Sequence, residues 1–251
     1  MKLRKTAIWA ASLLLYTSTQ VTVLAAQVDT VLIIDITGGM VDEINVLTAS
    51  GTLDSYDNAL TGYGHNTRYG LVAFDGTASL TQDMVDFATF TSAGGAFKTL
   101  STGAGTLENG ALAISTAANA SLTQGAYVNL LLLTDEPGSW SAAEESTAIA
   151  DGLARNATLE VGFTGVGSSG NYLALASGLG SFDASSNPTV YTLNAGLIPV
   201  YFGTIFPDAL QGRIQSGAAS PNPVPLPGAV WLLLPALLCL LRRHPKTKIA
   251  L

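Results

Sequence analysis

The sequence is poor in the residues on which most enzyme chemistry runs. Its single cysteine, Cys239, lies in an apolar run near the C-terminus, so the body has no disulfide, no thiolate nucleophile and no cysteine-based zinc site. Of its two histidines, His244 falls in a basic tail, which leaves His65 alone in the body. A histidine-dependent triad or a multi-histidine zinc centre therefore lacks its parts. Charge is scarce, at 12% of residues, and one sign is nearly missing from the middle of the chain. All 18 acids lie between Asp29 and Asp208, whereas only four of the 11 basic residues fall between residues 6 and 241. An acidic body offers no electrostatic case for nucleic acid. Nucleotide signatures are missing too: Ile36–Met40 holds no Gly-x-Gly-x-x-Gly, and no Gly-Lys-Ser/Thr occurs. Thr37 stands where a phosphatase of the paired-aspartate type needs a second Asp as general acid.

What is present is an apolar chain of 251 residues, 48% hydrophobic and with 26 glycines, enough for one domain plus processing segments. Strand candidates are Asp29–Ile36, Arg68–Phe74, Tyr127–Thr134, Leu159–Val166 and Val190–Leu193, and Thr77–Phe87 alternates as an edge strand does. Val128–Leu133 is apolar without a break, as in central strands covered on both faces. Helices are expected at Val41–Leu60 with a break near Gly51, at Ala-rich Leu107–Ala120, at Ser141–Ala154 behind a capping box, at Tyr172–Ser177 and at Leu197–Ile214. Strand–helix alternation predicts an α/β fold: a doubly wound, mostly parallel sheet with helices on both faces.

Residues 1–26 read as a secretory signal, with Lys2, Arg4 and Lys5 before the apolar stretch Ala7–Tyr16 and small residues Ala25 and Ala26 at the cut. At the other end a Pro, Ser and Gly-rich linker (217–227) leads to an apolar run, Ala229–Leu241, and then to Arg242-Arg243-His244-Pro245-Lys246. That run, broken by Pro235, is short of the ~20 residues that span a bilayer comfortably, and the basic cluster would hold its end on the cytoplasmic side. Val224-Pro225-Leu226-Pro227-Gly228 with the helix and basic cluster (224–246) resembles the PEP-CTERM sorting signal in its VPLPA-type variant, with Gly228 where Ala is usual. The resemblance implies export, transient inner-membrane anchoring, and processing by an exosortase-like enzyme at the surface or in the matrix of a Gram-negative bacterium. A retained membrane anchor is the plainer reading of the same tail.

The strand Val28–Asp35 delivers a carboxylate to its tip in Asp35-Ile36-Thr37-Gly38-Gly39; Gly103-Ala104-Gly105-Thr106 and Leu133-Thr134-Asp135 follow in order. Two carboxylates on strand tips and one hydroxyl loop can converge on a hard cation at the edge where open α/β sheets bind ligands. Singly, Asp35, Asp135 and Thr106 read as ordinary helix caps. In this order residues 27–216 resemble a von Willebrand factor type A (VWA) domain, whose metal-ion-dependent adhesion site (MIDAS) uses Asp-x-Ser-x-Ser, a Thr and an Asp. The resemblance implies Asp35, Thr37, Thr106 and Asp135 as the shell of Mg²⁺ or Mn²⁺, with an open position for an acidic group of a protein or matrix partner. Gly39 stands where the third hydroxyl is expected, so the motif is degenerate. Glu136 reads as a solvated neighbour, and Asp54, Asp57 and Asn58 as turn formers rather than a calcium loop. The expectation is a non-enzymatic, surface-sorted adhesion or binding protein without catalytic residues; the alternatives are a metal-free structural component and, further off, a metal-assisted hydrolase at Asp35 and Asp135.

Overall fold

In a computed structural model of the chain, residues 25–49, 51–103, 105, 108–165, 169–180 and 190–216 are described. The signal segment before Ala25 and the linker, Val224-Pro225-Leu226-Pro227 motif and apolar tail beyond Ser216 lie outside them. Six strands form one sheet: β1 (Gln27–Asp35), β2 (Asn66–Phe74), β3 (Ala78–Val85), β4 (Tyr127–Thr134), β5 (Ala157–Phe163) and β6 (Tyr191–Thr192). Their spatial order is β3-β2-β1-β4-β5-β6. All neighbours are parallel except the edge pair β2/β3, which is antiparallel. The principal helices are α1 (Val41–Thr48), α2 (Thr52–Gly62), α3 (Gly110–Ala118), α4 (Ala142–Ala154), α5 (Gly170–Gly178) and α6 (Phe206–Ser216). Among the described residues, no helix is long and apolar enough to cross a membrane.

The unbroken apolar runs follow from double coverage of the central strands. Val31, Ile33, Leu130, Leu132, Leu159 and Val161 point into one core, against Ala111, Ala113, Ile114 and Ala117 of α3, Ala148 of α4 and Leu175 of α5. Leu32, Ile34, Leu131 and Leu133 point into the other, against Ile44, Leu47, Leu53, Tyr56 and Leu60 of α1 and α2, and Phe206 and Leu210 of α6. Successive residues alternate between the cores because side chains alternate along a strand. The alanines of α3 let that helix lie close to the sheet.

Local chemistry sets the breaks. Gly51, at φ 105°, turns the chain between α1 and α2, a conformation that favours glycine. Asp54 and Asp57 lie on α2 rather than in a turn. The Asp54 carboxylate accepts from Gly51 N at 2.8 Å, and Asp57 accepts from Thr67 Oγ1 at 2.6 Å and from the Tyr69 hydroxyl at 2.8 Å. Ser141 caps α4 in the expected reciprocal pair with Glu144. Leu197–Ile214 resolves into a helical path with a π-type turn at Tyr201–Ile205 before α6.

Helix α6 is tied down by polar groups as well as by Phe206 and Leu210. Gln211 Oε1 pairs with His65 Nε2 at 2.6 Å, the Tyr63 hydroxyl donates to Asp208, and Arg213 pairs with Glu160, which is fully buried on β5. Removing one partner of a buried pair strands the other's charge. Arg213→Met should therefore lower the unfolding free energy by about 3–5 kcal/mol, and Glu160→Leu combined with it should recover most of the loss. Urea unfolding followed by circular dichroism measures both.

Candidate metal centre

The chain runs from β1 to β2 on one side and later places β4 on the other, so β1/β4 is the topological switch point of the sheet. Open parallel sheets bind ligands outside the carboxyl ends of their strands at that point. Asp35 ends β1, and Asp135 follows Thr134, the last residue of β4. The register is fixed along the pair, through Ile34 opposite Leu133.

Asp35 is fully buried and held from two sides. Its Oδ1 accepts from Thr37 N at 2.8 Å, and its Oδ2 accepts from Thr134 Oγ1 at 2.9 Å. Thr37 Oγ1 donates to Asp135 Oδ1 at 3.4 Å. Three of the four residues expected in the shell are thus brought together. Thr106, the fourth, lies outside the described residues. Asp135 is half-buried and its loop is packed tightly: a Cβ at Gly165 would lie 1.5 Å from the Asp135 carbonyl oxygen. Neither aspartate caps a helix of the core, since α4 starts seven residues after Asp135 behind its own Ser141 cap. Glu136 is exposed, as a solvated neighbour should be.

Position 39 lacks the hydroxyl of the VWA motif, and the structure shows what takes the space. A Cβ there would lie 1.7 Å from Asp135 Oδ2, so the carboxylate of Asp135 fills the volume of the missing side chain.

Glu108 joins these residues, although the sequence pattern places it within the expected helix Leu107–Ala120. Helix α3 instead begins at Gly110, because the Asn109 side chain accepts from Leu112 N at 2.9 Å and caps the helix there. Glu108 therefore precedes the helix, with its carbonyl accepting from Ser139 N at 2.7 Å. The residue is only 2% exposed, and neither carboxylate oxygen makes a hydrogen bond within geometric limits among the described residues, although Thr37 stands close enough to favour its charged form. Asp35, Glu108 and Asp135 each present an oxygen within 4.8 Å of the others. The available signal was an acid two residues after Thr106, ahead of a good capping residue.

The electrostatics follow from this crowding. Among the described residues neither Lys nor Arg pairs with these carboxylates; the two ion pairs found are Arg68–Asp29 and Arg213–Glu160. Burial, then the neighbouring Asp35 carboxylate, pushes Glu108 up to about 9. Burial and Asp35 likewise push Asp135 up to about 6. Tyr172 reaches the same cluster: its hydroxyl is 3.5 Å from Thr134 Oγ1, burial raises its pKa, and Trp140 packs edge-on against it with ring centroids 4.9 Å apart. His65 precedes β2, at the opposite, amino-terminal edge of the sheet.

No family model matches the sequence, and no curated protein matches it. Solved structures do match in fold. Proximal thread matrix protein 1 from the mussel byssus superposes with a TM-score of 0.56 at 14% identity, over 74% of this chain and 47% of that one. The structure of that protein with zinc in its MIDAS motif gives a TM-score of 0.58 at 12% identity, over 74% of this chain and 46% of the other. The chain spans about half the length of these proteins, and at such identities the likeness shows fold alone. That fold is VWA-like.

The two raised carboxyls fix the sign of a pH dependence. Both hold protons more tightly in the folded than in the unfolded chain. Their contribution to stability is therefore full below the ordinary carboxylate range and is lost as pH rises through about 6 and on to about 9. Without metal, the Tm in chelator should fall across that interval, and Glu108→Gln should flatten the upper part of the decline.

Proposed function

We propose that this chain is an exported binding module of a cell surface or extracellular matrix that holds a divalent cation at the β1/β4 crest and engages its partner in a cation-dependent way. The observation that carries the reading is the convergence of Asp35, Glu108 and Asp135 at the switch point without a basic residue among them. Carboxylates are crowded together at that expense where a cation offsets their repulsion. The donors are all oxygens, with Thr37 Oγ1 beside the carboxylates, which suits hard ions such as Mg²⁺, Mn²⁺ or Ca²⁺ and does not bar Zn²⁺.

When bound, the cation would supply positive charge at the crest and an orienting point for oxygen ligands. The protein's own part is placement. Asp35 cannot swing, because Thr37 N and Thr134 Oγ1 hold both its oxygens, whereas Asp135 stands nearer solvent. Thr106 belongs to the same proposal through the order of the VWA motif. Export rests on the reading of residues 1–26 and of the tail, and a matrix role agrees with the matrix protein of the mussel byssus that shares the fold. A non-enzymatic role agrees with the position of His65, the body's one histidine, at the far edge of the sheet. The second reading, a metal-free structural component, is favoured by Gly39, which removes one hydroxyl from the motif.

Titration calorimetry with Mg²⁺, Mn²⁺, Ca²⁺ and Zn²⁺ separates the two readings. Saturable binding that weakens more than about 100-fold in Asp35→Asn and Asp135→Ala is expected, since loss of a ligand should exceed the 10–100-fold typical of supporting residues. The emission of Trp140, through its contact with Tyr172, gives a second readout. A folded protein with no saturable uptake at millimolar metal leaves the metal-free component.

A further inference from the structure

We infer that Glu108 is a direct ligand of the cation, and that it fills from within the chain the position that would otherwise admit an acidic group of a partner. The inference rests on the cation reading above and adds to it which ligands the loaded centre accepts.

Two observations point the same way. Glu108 is almost wholly buried, neither of its oxygens makes a hydrogen bond within geometric limits among the described residues, and one of them lies within 4.8 Å of an oxygen of Asp35 and of Asp135. A buried carboxylate left without donors costs free energy unless something outside the described atoms satisfies it, and a cation between the three carboxylates would do so. The second observation is the packing at position 39. The Asp135 carboxylate occupies the volume that a side chain at position 39 would need, so no hydroxyl is available there and Glu108 is the further oxygen donor at hand.

Charge then decides what the loaded site will take. Three carboxylates around a divalent ion leave the centre net negative, where two leave it neutral. A further carboxylate from outside meets a filled position and a like charge. Any remaining place suits water or a neutral oxygen, and the cation acts chiefly as a clip joining the β1 tip, the β4 tip and the segment that leads into α3.

The test uses the full chain, with Mn²⁺ binding by calorimetry and Tb³⁺ luminescence decay in H₂O and D₂O to count bound waters. Tyr172 and Trp140 serve as sensitisers. Acetate is the carboxylate probe. Glu108→Gln is compared with wild type and with Glu136→Gln, which removes an equal charge from an exposed neighbour. Glu108→Gln should bind Mn²⁺ more than about 100-fold more weakly, beyond the range of supporting residues, carry about one further bound water, and respond to acetate, whereas wild type and Glu136→Gln should not respond. The metal-free Tm of Glu108→Gln should be no lower than that of wild type, which separates lost ligation from misfolding. Equal affinity and hydration in wild type and Glu108→Gln would overturn the role of Glu108 and leave the cation centre standing. Equal weakening by Glu136→Gln would overturn it too, as a mere charge effect. Absence of saturable binding in every protein would remove the cation reading itself.

Discussion

The parallel pairing of β1 with β4 is the constraint on which the rest of the molecule depends. Both strands are covered on both faces, so neither has room for a polar group of the site along its middle, and the chemistry moves to the tips. The same ladder that sets Ile34 opposite Leu133 sets Asp35 beside the Thr134–Asp135 turn, with Thr134 Oγ1 joining them. Helix α3 then matters less as a helix than as the element whose late start leaves Glu108 outside the first turn and turned toward the two aspartates. Sheet register, strand burial and one asparagine cap together assemble three carboxylates that are far apart in sequence.

The interior handles buried charge in two opposite ways. On β5, Glu160 is matched by Arg213 from α6, and the pair holds helix to sheet. On β1, Asp29 is met by Arg68 and by Thr123, which donates from both its backbone and its side chain. At the crest the three carboxylates face each other, and among the described residues Thr37 and Thr134 are the donors to them. Natural cores avoid that arrangement unless something is gained by it. The contrast within one molecule argues for a cation at the crest more strongly than the presence of acids alone.

Much of this was legible in the sequence. The strands, the edge strand after Thr77, the break at Gly51 and the capping box at Ser141 are local signals, carried by neighbours in the chain, and the structure has each of them; that the edge strand is antiparallel was not legible. The VWA-like order of Asp35, Thr37 and Asp135 was legible because the motif is short and its spacing regular. Glu108 was not, because apolar periodicity continues through Leu107 and hides where a helix begins; that boundary depends on a single side-chain oxygen of Asn109. The role of Gly39 was half legible. Its missing hydroxyl is plain, but the carboxylate that enters the space comes from a residue 96 positions away. Asp54 and Asp57 were misplaced for a related reason, since acids that cap and brace a helix have the same composition as acids in a turn.

The latch between Arg213 and Glu160 bears on how the body would carry a load. Tension entering the chain beyond Ser216 would first reach α6, which is pinned to the middle of β5 by Arg213 and Glu160 and touches the short outer strand β6 through Phe206 and Tyr191. A pull from that side would be borne by a buried ion pair, by Phe206 and Leu210 in their pocket, and by the Tyr63 and His65 contacts in parallel. Peeling β6 from the edge would break the Phe206–Tyr191 contact but leave the ion pair on β5 in place. For a load on that end, the first structure to resist is helix α6 with its ion pair to β5.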